Sequence, residues 1–242
     1  MIKYTIFKYE IKRQLCSREY LILLAAIFVY CISLLRSMVM FGINYTAPFS
    51  QWTFCSYISA VSPVLFVALL SLCARQFTVS ERGTMTIIES TPMPAATFRA
   101  IRYIAIACVF LIAMAIPFGI CFVFYQQVFD YTAFGELIYS GLMLLVPPSL
   151  FIFGAAMLLG RRRPVLIYIL MGAVLIAGTF SISLPPIIDI IGSSVIQPIS
   201  SGTRNFTFRF SFIASRIVFV FIGIACSFIS LWQINHRKIR FK

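Results

Sequence analysis

Acid–base chemistry has few places to reside in this chain. One histidine, His236, and seven acidic residues are spread over 242 residues. His236 stands in the basic run His-Arg-Lys-Ile-Arg-Phe-Lys, with no acid beside it to orient the ring, so neither a Ser-His-Asp arrangement nor a metal-ligand cluster is spelled there. Asp130, Glu136 and Asp189 fall between long apolar runs, and no two acids share such a run. A pair of carboxylates for intramembrane proteolysis is therefore missing. No Gly-x-x-x-x-Gly-Lys-Ser/Thr phosphate loop occurs either. The polar and turn-forming residues concentrate in one stretch, residues 75–102.

Physical chemistry alone reads that stretch as a short amphipathic helix between two apolar runs. Ser80 is placed to cap its start, Ile87 and Ile88 give it an apolar side, and Pro92 and Pro94 end it. Thr97 is placed to cap the helix that follows. A folded helix at that position would offer a docking surface; a solvated connector is the plainer alternative. The first residues carry a second amphipathic signal. On a helical wheel Tyr4, Phe7, Ile11 and Leu15 share one arc, with Arg13 opposite. A basic helix of this kind, spanning residues 1–20, is expected to lie in a membrane interface.

The elements that would position these segments are set by composition. Apolar residues make up 61% of the chain and charged residues 11%. So few charges cannot cover a water-facing surface, whereas lipid tolerates apolar side chains at no cost. About 20 apolar residues cross the hydrocarbon core as a helix. Six runs of that kind predict spans at about 21–40, 54–74, 103–125, 137–159, 165–184 and 212–234. The expected fold class is an all-α polytopic membrane protein forming a single transmembrane domain over residues 1–242. Residues 185–211, with Pro185, Pro186, Gly192, Pro198 and Gly202, are too long for a turn and too polar in their second half to span. They read either as a segment that re-enters the membrane or as an ordinary loop. Asp189 is then either a functional candidate at membrane depth or a loop acid in water.

The net charge of +13 is distributed in a way that argues against nucleic acid. Sixteen of the twenty Lys and Arg residues fall before the first span, in 75–102, at Arg161–Arg162–Arg163 and after the last span. Only Arg36, Arg204, Arg209 and Arg216 fall on the other side. Retention of cations on the cytoplasmic side then places both termini in the cytoplasm. The seven cysteines lie mostly inside apolar runs without a CxxC pair, and read as small buried hydrophobes.

The run Glu81-Arg82-Gly83-Thr84, then Ile87-Ile88, then Ser90-Thr91-Pro92-Met93, followed by Arg99 and Arg102, resembles the cytoplasmic signature of type-2 ABC exporter permeases. The order of an amphipathic N-terminal helix, six spans, a re-entrant segment before the last span and a basic tail is similar as well. Pro94 departs from the polar residue common there, and Glu81 and Glu89 are the loop's only acids. The resemblance implies that Glu81, Arg82, Gly83, Thr84, Ile87, Ile88, Ser90, Thr91 and Pro92 form a coupling helix received by a cytoplasmic ATPase. It further implies two ATPase copies, a second permease chain, identical or related, and a path for a hydrophobic or amphipathic cargo between the permeases. The bacterial plasma membrane is the implied location. The chain itself would not be an enzyme and would hold no cofactor, since ATP and Mg would sit on the partner. A secondary transporter or channel without ATP, or a membrane assembly protein, is the alternative.

Overall fold

A computed structural model describes residues 2–42, 46–78, 94–179, 189–196 and 206–239, and every regular element among them is helical. α1 (Ile2–Leu15) stops at Ser17, whose hydroxyl accepts from the Tyr20 N–H and so caps α2 (Arg18–Leu34). The last turn of α2 widens into a π-helical segment at Leu35–Val39. α3 (Gln51–Arg75) is capped in the same way by Ser50, which accepts from Thr53 N at 3.3 Å. α4 (Ala95–Phe129), α5 (Gly135–Arg162), α6 (Val165–Thr179), the single turn α7 (Ser193–Ile196) and α8 (Phe210–Ile239) follow.

Five stretches are long and apolar enough to cross a membrane: Arg18–Val39, Gln51–Arg75, Ala96–Phe129, Gly135–Arg162 and Phe210–Trp232. This is the make-up of an integral membrane protein. The expected fifth span, 165–184, is represented by the 15 residues of α6. A helix of that length rises about 22 Å, short of the roughly 30 Å hydrocarbon core. Its expected continuation falls outside the described residues. α4 is longer at both ends than the expected span 103–125. It begins at Ala95, directly after Pro94, so Thr97 is an interior residue rather than a cap; its N–H donates to the Pro94 carbonyl at 3.0 Å. Proline has no N–H to lose at a helix start, which makes it a natural entry point. The far end of α4 closes at Asp130, the only non-glycine with positive φ (50°) among the described residues.

α3 is the hub. It packs against α2, α4, α5, α6 and α7, and is buried nearly all round. Its polar residues Thr53, Ser56, Ser59 and Ser62 recur every third position and are all buried. Such short hydroxyls return their hydrogen bonds to nearby backbone, as Ser62 does to the Ser59 carbonyl (2.9 Å). The Pro63 ring of α3 lies where a side chain at Gly178 of α6 would stand. The outward faces of α2 and α8, by contrast, are apolar and exposed, including Ile22 and Val29 on one and Ile217, Phe221, Ile224 and Phe228 on the other. An apolar outer surface over a polar-spotted interior suits lipid as the surrounding solvent.

α5 and α8 make the most extensive helix pair, and two glycines set its closeness. A Cβ at Gly154 would collide with the Gly223 carbonyl oxygen, and one at Gly223 would lie 2.5 Å from the Leu150 oxygen. Small residues at such a crossing let two backbones touch. Gly154→Ala and Gly223→Ala are therefore expected to lower the melting temperature in detergent. Intrinsic propensity alone would favour alanine by about 1 kcal/mol. Gly119→Ala and Gly172→Ala, where a Cβ meets nothing within 4 Å, should leave the melting temperature unchanged or raise it. Thermal unfolding of the four purified variants checks the contrast in sign.

Candidate functional site

Polar chemistry inside the bundle collects in two places. The first joins α1 to the start of α4. Glu10 is 3% exposed and Arg102 2% exposed, and their charged groups lie 3.6 Å apart. Arg13, one helical turn along from Glu10, adds a second contact at 2.9 Å. Gln14 is buried beside them. The face of α1 that packs inward is thus partly polar. Of the expected apolar arc, Ile11 and Leu15 pack against the core, Phe7 is half-buried, and Tyr4 is exposed. Glu10 and Gln14 were not singled out by sequence. The i, i+3 pair Glu10–Arg13 was the available signal, but its third partner, Arg102, lies 92 residues away from Glu10. By comparison the Arg75–Glu19 pair (3.7 Å) sits at the surface, where such pairs contribute about 0–1 kcal/mol.

Nearby, α4, α5 and α8 share a small hydroxyl network. Tyr103 and Ser230 hydroxyls lie 2.9 Å apart, Ser230 donates to the Met157 carbonyl, and Arg161 donates to the Ser230 carbonyl. Arg161, expected only as one of the cytoplasmic-side cations, therefore also ties α5 to α8.

The second polar place lies between α3, α5, α8 and residues 189–196. Asp189 is fully buried. Its Oδ1 accepts from the N–H groups of Gly192 (2.8 Å) and Ser193 (3.1 Å) and from Ser193 Oγ (3.3 Å), and its Oδ2 accepts from Ser194 N–H (2.6 Å). The carboxylate thus caps the turn α7, and the reading of Asp189 as a loop acid facing water is overturned. The turn is pinned to the hub by Ser59, which donates to the Ile191 carbonyl at 3.1 Å. Across from it stands Arg216 of α8, 1% exposed, with its guanidinium over the Phe212 ring at 4.3 Å and the Phe219 ring at 5.6 Å. Expected as an outer-side cation, Arg216 instead lies six residues, about 9 Å, inside α8. A lone arginine within an apolar run is itself a signal of function.

The expected coupling residues Glu81, Arg82, Gly83, Thr84, Ile87, Ile88, Ser90, Thr91 and Pro92 lie outside the described residues. The two ends of their loop are placed, however: α3 ends at Arg75 and α4 begins at Ala95. No group of three or more metal-ligating side chains occurs among the described residues. All seven cysteines are free, and Cys31, Cys55, Cys73 and Cys121 are buried.

Removing one member of a buried ion pair leaves the other uncompensated, which costs about 3–5 kcal/mol. Arg102→Met leaves Glu10 with Arg13 (2.9 Å) as a partner and should therefore destabilise the chain by less than this, about 2 kcal/mol, measured by chemical or thermal unfolding in detergent. Glu19→Ala, breaking only the surface pair, should shift stability by less than about 1 kcal/mol.

No protein-family model matches this chain, no curated protein matches its sequence, and no solved structure matches its fold.

Proposed function

We propose that this chain is the membrane-spanning permease subunit of an ATP-driven exporter of the type-2 ABC class. The observation that carries the proposal is the order of residues in 75–102: Glu81-Arg82-Gly83-Thr84, Ile87-Ile88 and Ser90-Thr91-Pro92, set between two long apolar helices. The helix after this loop begins eight residues before the apolar run at Tyr103 and carries Arg99 and Arg102 in that extension. Arg102 in turn holds Glu10 of α1. A force applied to the loop by a docked ATPase would thus reach both α4 and the N-terminal helix through a buried ionic contact. This mechanical link supports the coupling role of 81–92.

In this reading the chain crosses the membrane six times, with α6 belonging to the fifth crossing. The termini and the loop 75–102 lie in the cytoplasm of a bacterial cell. Two ATPase subunits bind below, carrying ATP and Mg, and a second permease chain completes the path. The cargo is a peptide, lipid-like molecule or drug with substantial apolar surface. A second reading, transport without ATP, gains from Asp189 and Arg216, since buried ionisable groups are what an ion-coupled transporter uses. It leaves the motif at 81–92 without a purpose.

Affinity purification of the tagged chain from its native host separates the two. A stoichiometric ATPase is expected to accompany the chain and to be lost when residues 81–92 are scrambled. Glu81→Lys, or Gly83→Trp, should reduce its recovery at least tenfold while leaving the chain's own melting temperature unchanged. A chain that purifies alone from several mild detergents would overturn the exporter reading and favour the second.

A further inference from the structure

The guanidinium of Arg216 has unused hydrogen-bonding capacity at every position. Nε, Nη1 and Nη2 are all buried, and none has an acceptor among the described residues. Arginine carries five N–H donors in a planar fork and keeps its charge in proteins. A buried charge left without partners costs several kcal/mol. Two contacts offset part of this cost. Phe212 and Phe219 present their ring faces to the cation, which is a face-on attraction and leaves the in-plane N–H edges open. Asp189 supplies the neighbouring negative charge that acts on Arg216, but it makes no ion pair within 4.0 Å. Its oxygens are already committed to four donors of the 192–194 turn.

The 192–194 turn lies directly beside the fork. Gly192 has φ +91°, and a Cβ there would stand 3.5 Å from Nη2 and 2.7 Å from a methyl of Leu144. A side chain there would clash with Leu144 and would reach ordinary contact distance from Nη2. In the same turn Ser194 Oγ is buried without a hydrogen-bond partner, a second unfilled polar atom. The rest of the lining is apolar: Phe212, Phe219 and Leu144. On the next residues of α8, Ile217, Val218 and Phe221 face outward. The apolar part of a bound molecule would meet Phe212, Phe219 and Leu144.

A planar fork of unpaired donors matches a carboxylate or phosphate, which accepts two parallel N–H bonds. We propose that Arg216 binds the carboxylate or phosphate headgroup of an amphipathic molecule, whose apolar part meets Phe212, Phe219 and Leu144. As a statement about cargo this rests on the transport reading above. The site can be tested without the ATPase, so the two fail separately.

The test is equilibrium binding to the purified full chain in phosphatidylcholine nanodiscs, with labelled dodecanoate, dodecyl phosphate and dodecanol, and with inorganic phosphate. Saturable binding of dodecanoate or dodecyl phosphate is expected, at least tenfold tighter than dodecanol or inorganic phosphate. The preferred anion distinguishes a carboxylate from a phosphate headgroup. Arg216→Lys keeps the charge but loses the fork, and should weaken binding about tenfold. Arg216→Gln should abolish it, while Asp189→Asn, which removes the neighbouring negative charge, should retain it. If Arg216→Gln alone does not fold, Asp189→Asn/Arg216→Gln removes both charges together and should show the same loss. Equal binding of dodecanol, no binding of either anion, or unchanged affinity in both Arg216→Lys and the Arg216→Gln background would overturn the proposal. Anion binding in a chain that recruits no ATPase would sink the exporter reading and leave this site standing.

Discussion

Hydrocarbon offers no hydrogen-bond partner, and that single property of the solvent governs the rest of the structure. Every backbone group inside it must be satisfied within a helix, so all regular structure among the described residues is helical. Side-chain polarity is admitted only where protein covers it. α3 illustrates the rule: its hydroxyls at Thr53, Ser56, Ser59 and Ser62 are all covered by protein, whereas the exposed faces of α2 and α8 carry aliphatic and aromatic groups. Close packing then follows from small residues rather than from apolar attraction, since lipid is as apolar as any side chain. Gly154 against Gly223, and Gly178 against Pro63, are the clearest cases.

The same rule makes each buried charge conspicuous. Glu10, Arg102, Asp189 and Arg216 are all at most 3% exposed. They resolve their desolvation in different ways. Glu10 and Arg102 meet each other, and the contact locks the N-terminal helix to the base of α4. Asp189 is neutralised in effect by four donors of a tight turn, which fixes the turn against α3. Arg216 has only aromatic faces and a charge beyond ion-pair distance. One ionic site thus serves mechanical connection, one serves local folding, and one is left with open donors, which is the arrangement expected of a group awaiting a ligand.

Much of this architecture was legible in the residues. Runs of about twenty apolar side chains located α2, α3, α4, α5 and α8, because a helix apolar on every face over that length belongs in lipid or in the core of a large protein. Their ends were less legible. α4 extends back to Ala95 through Arg99 and Arg102, charges that a hydropathy reading assigns to a loop but that a helix carries once Glu10 compensates one of them. The polar interior was largely hidden. Glu10–Arg102 joins residues far apart in the chain, and Asp189 and Arg216 become neighbours only in the fold. Local signals were limited to the i, i+3 pair Glu10–Arg13 and to Arg216, an arginine embedded in Phe-Ile-Ala-Ser-Arg-Ile-Val-Phe. The run at 81–92, proposed above as a coupling motif, is the reverse case: it is the most informative stretch of sequence, and its meaning rests on which side of the membrane it occupies.

The coupling role stands or falls with that orientation, and paired reporter fusions measure it directly. Green fluorescent protein and alkaline phosphatase would be fused in turn after Thr78, Asp130, Arg163, Thr207 and Lys242. Fluorescence is predicted after Thr78, Arg163 and Lys242, and phosphatase activity after Asp130 and Thr207. Phosphatase activity after Thr78 would place the motif outside the cell, away from any ATPase, and would contradict the coupling role.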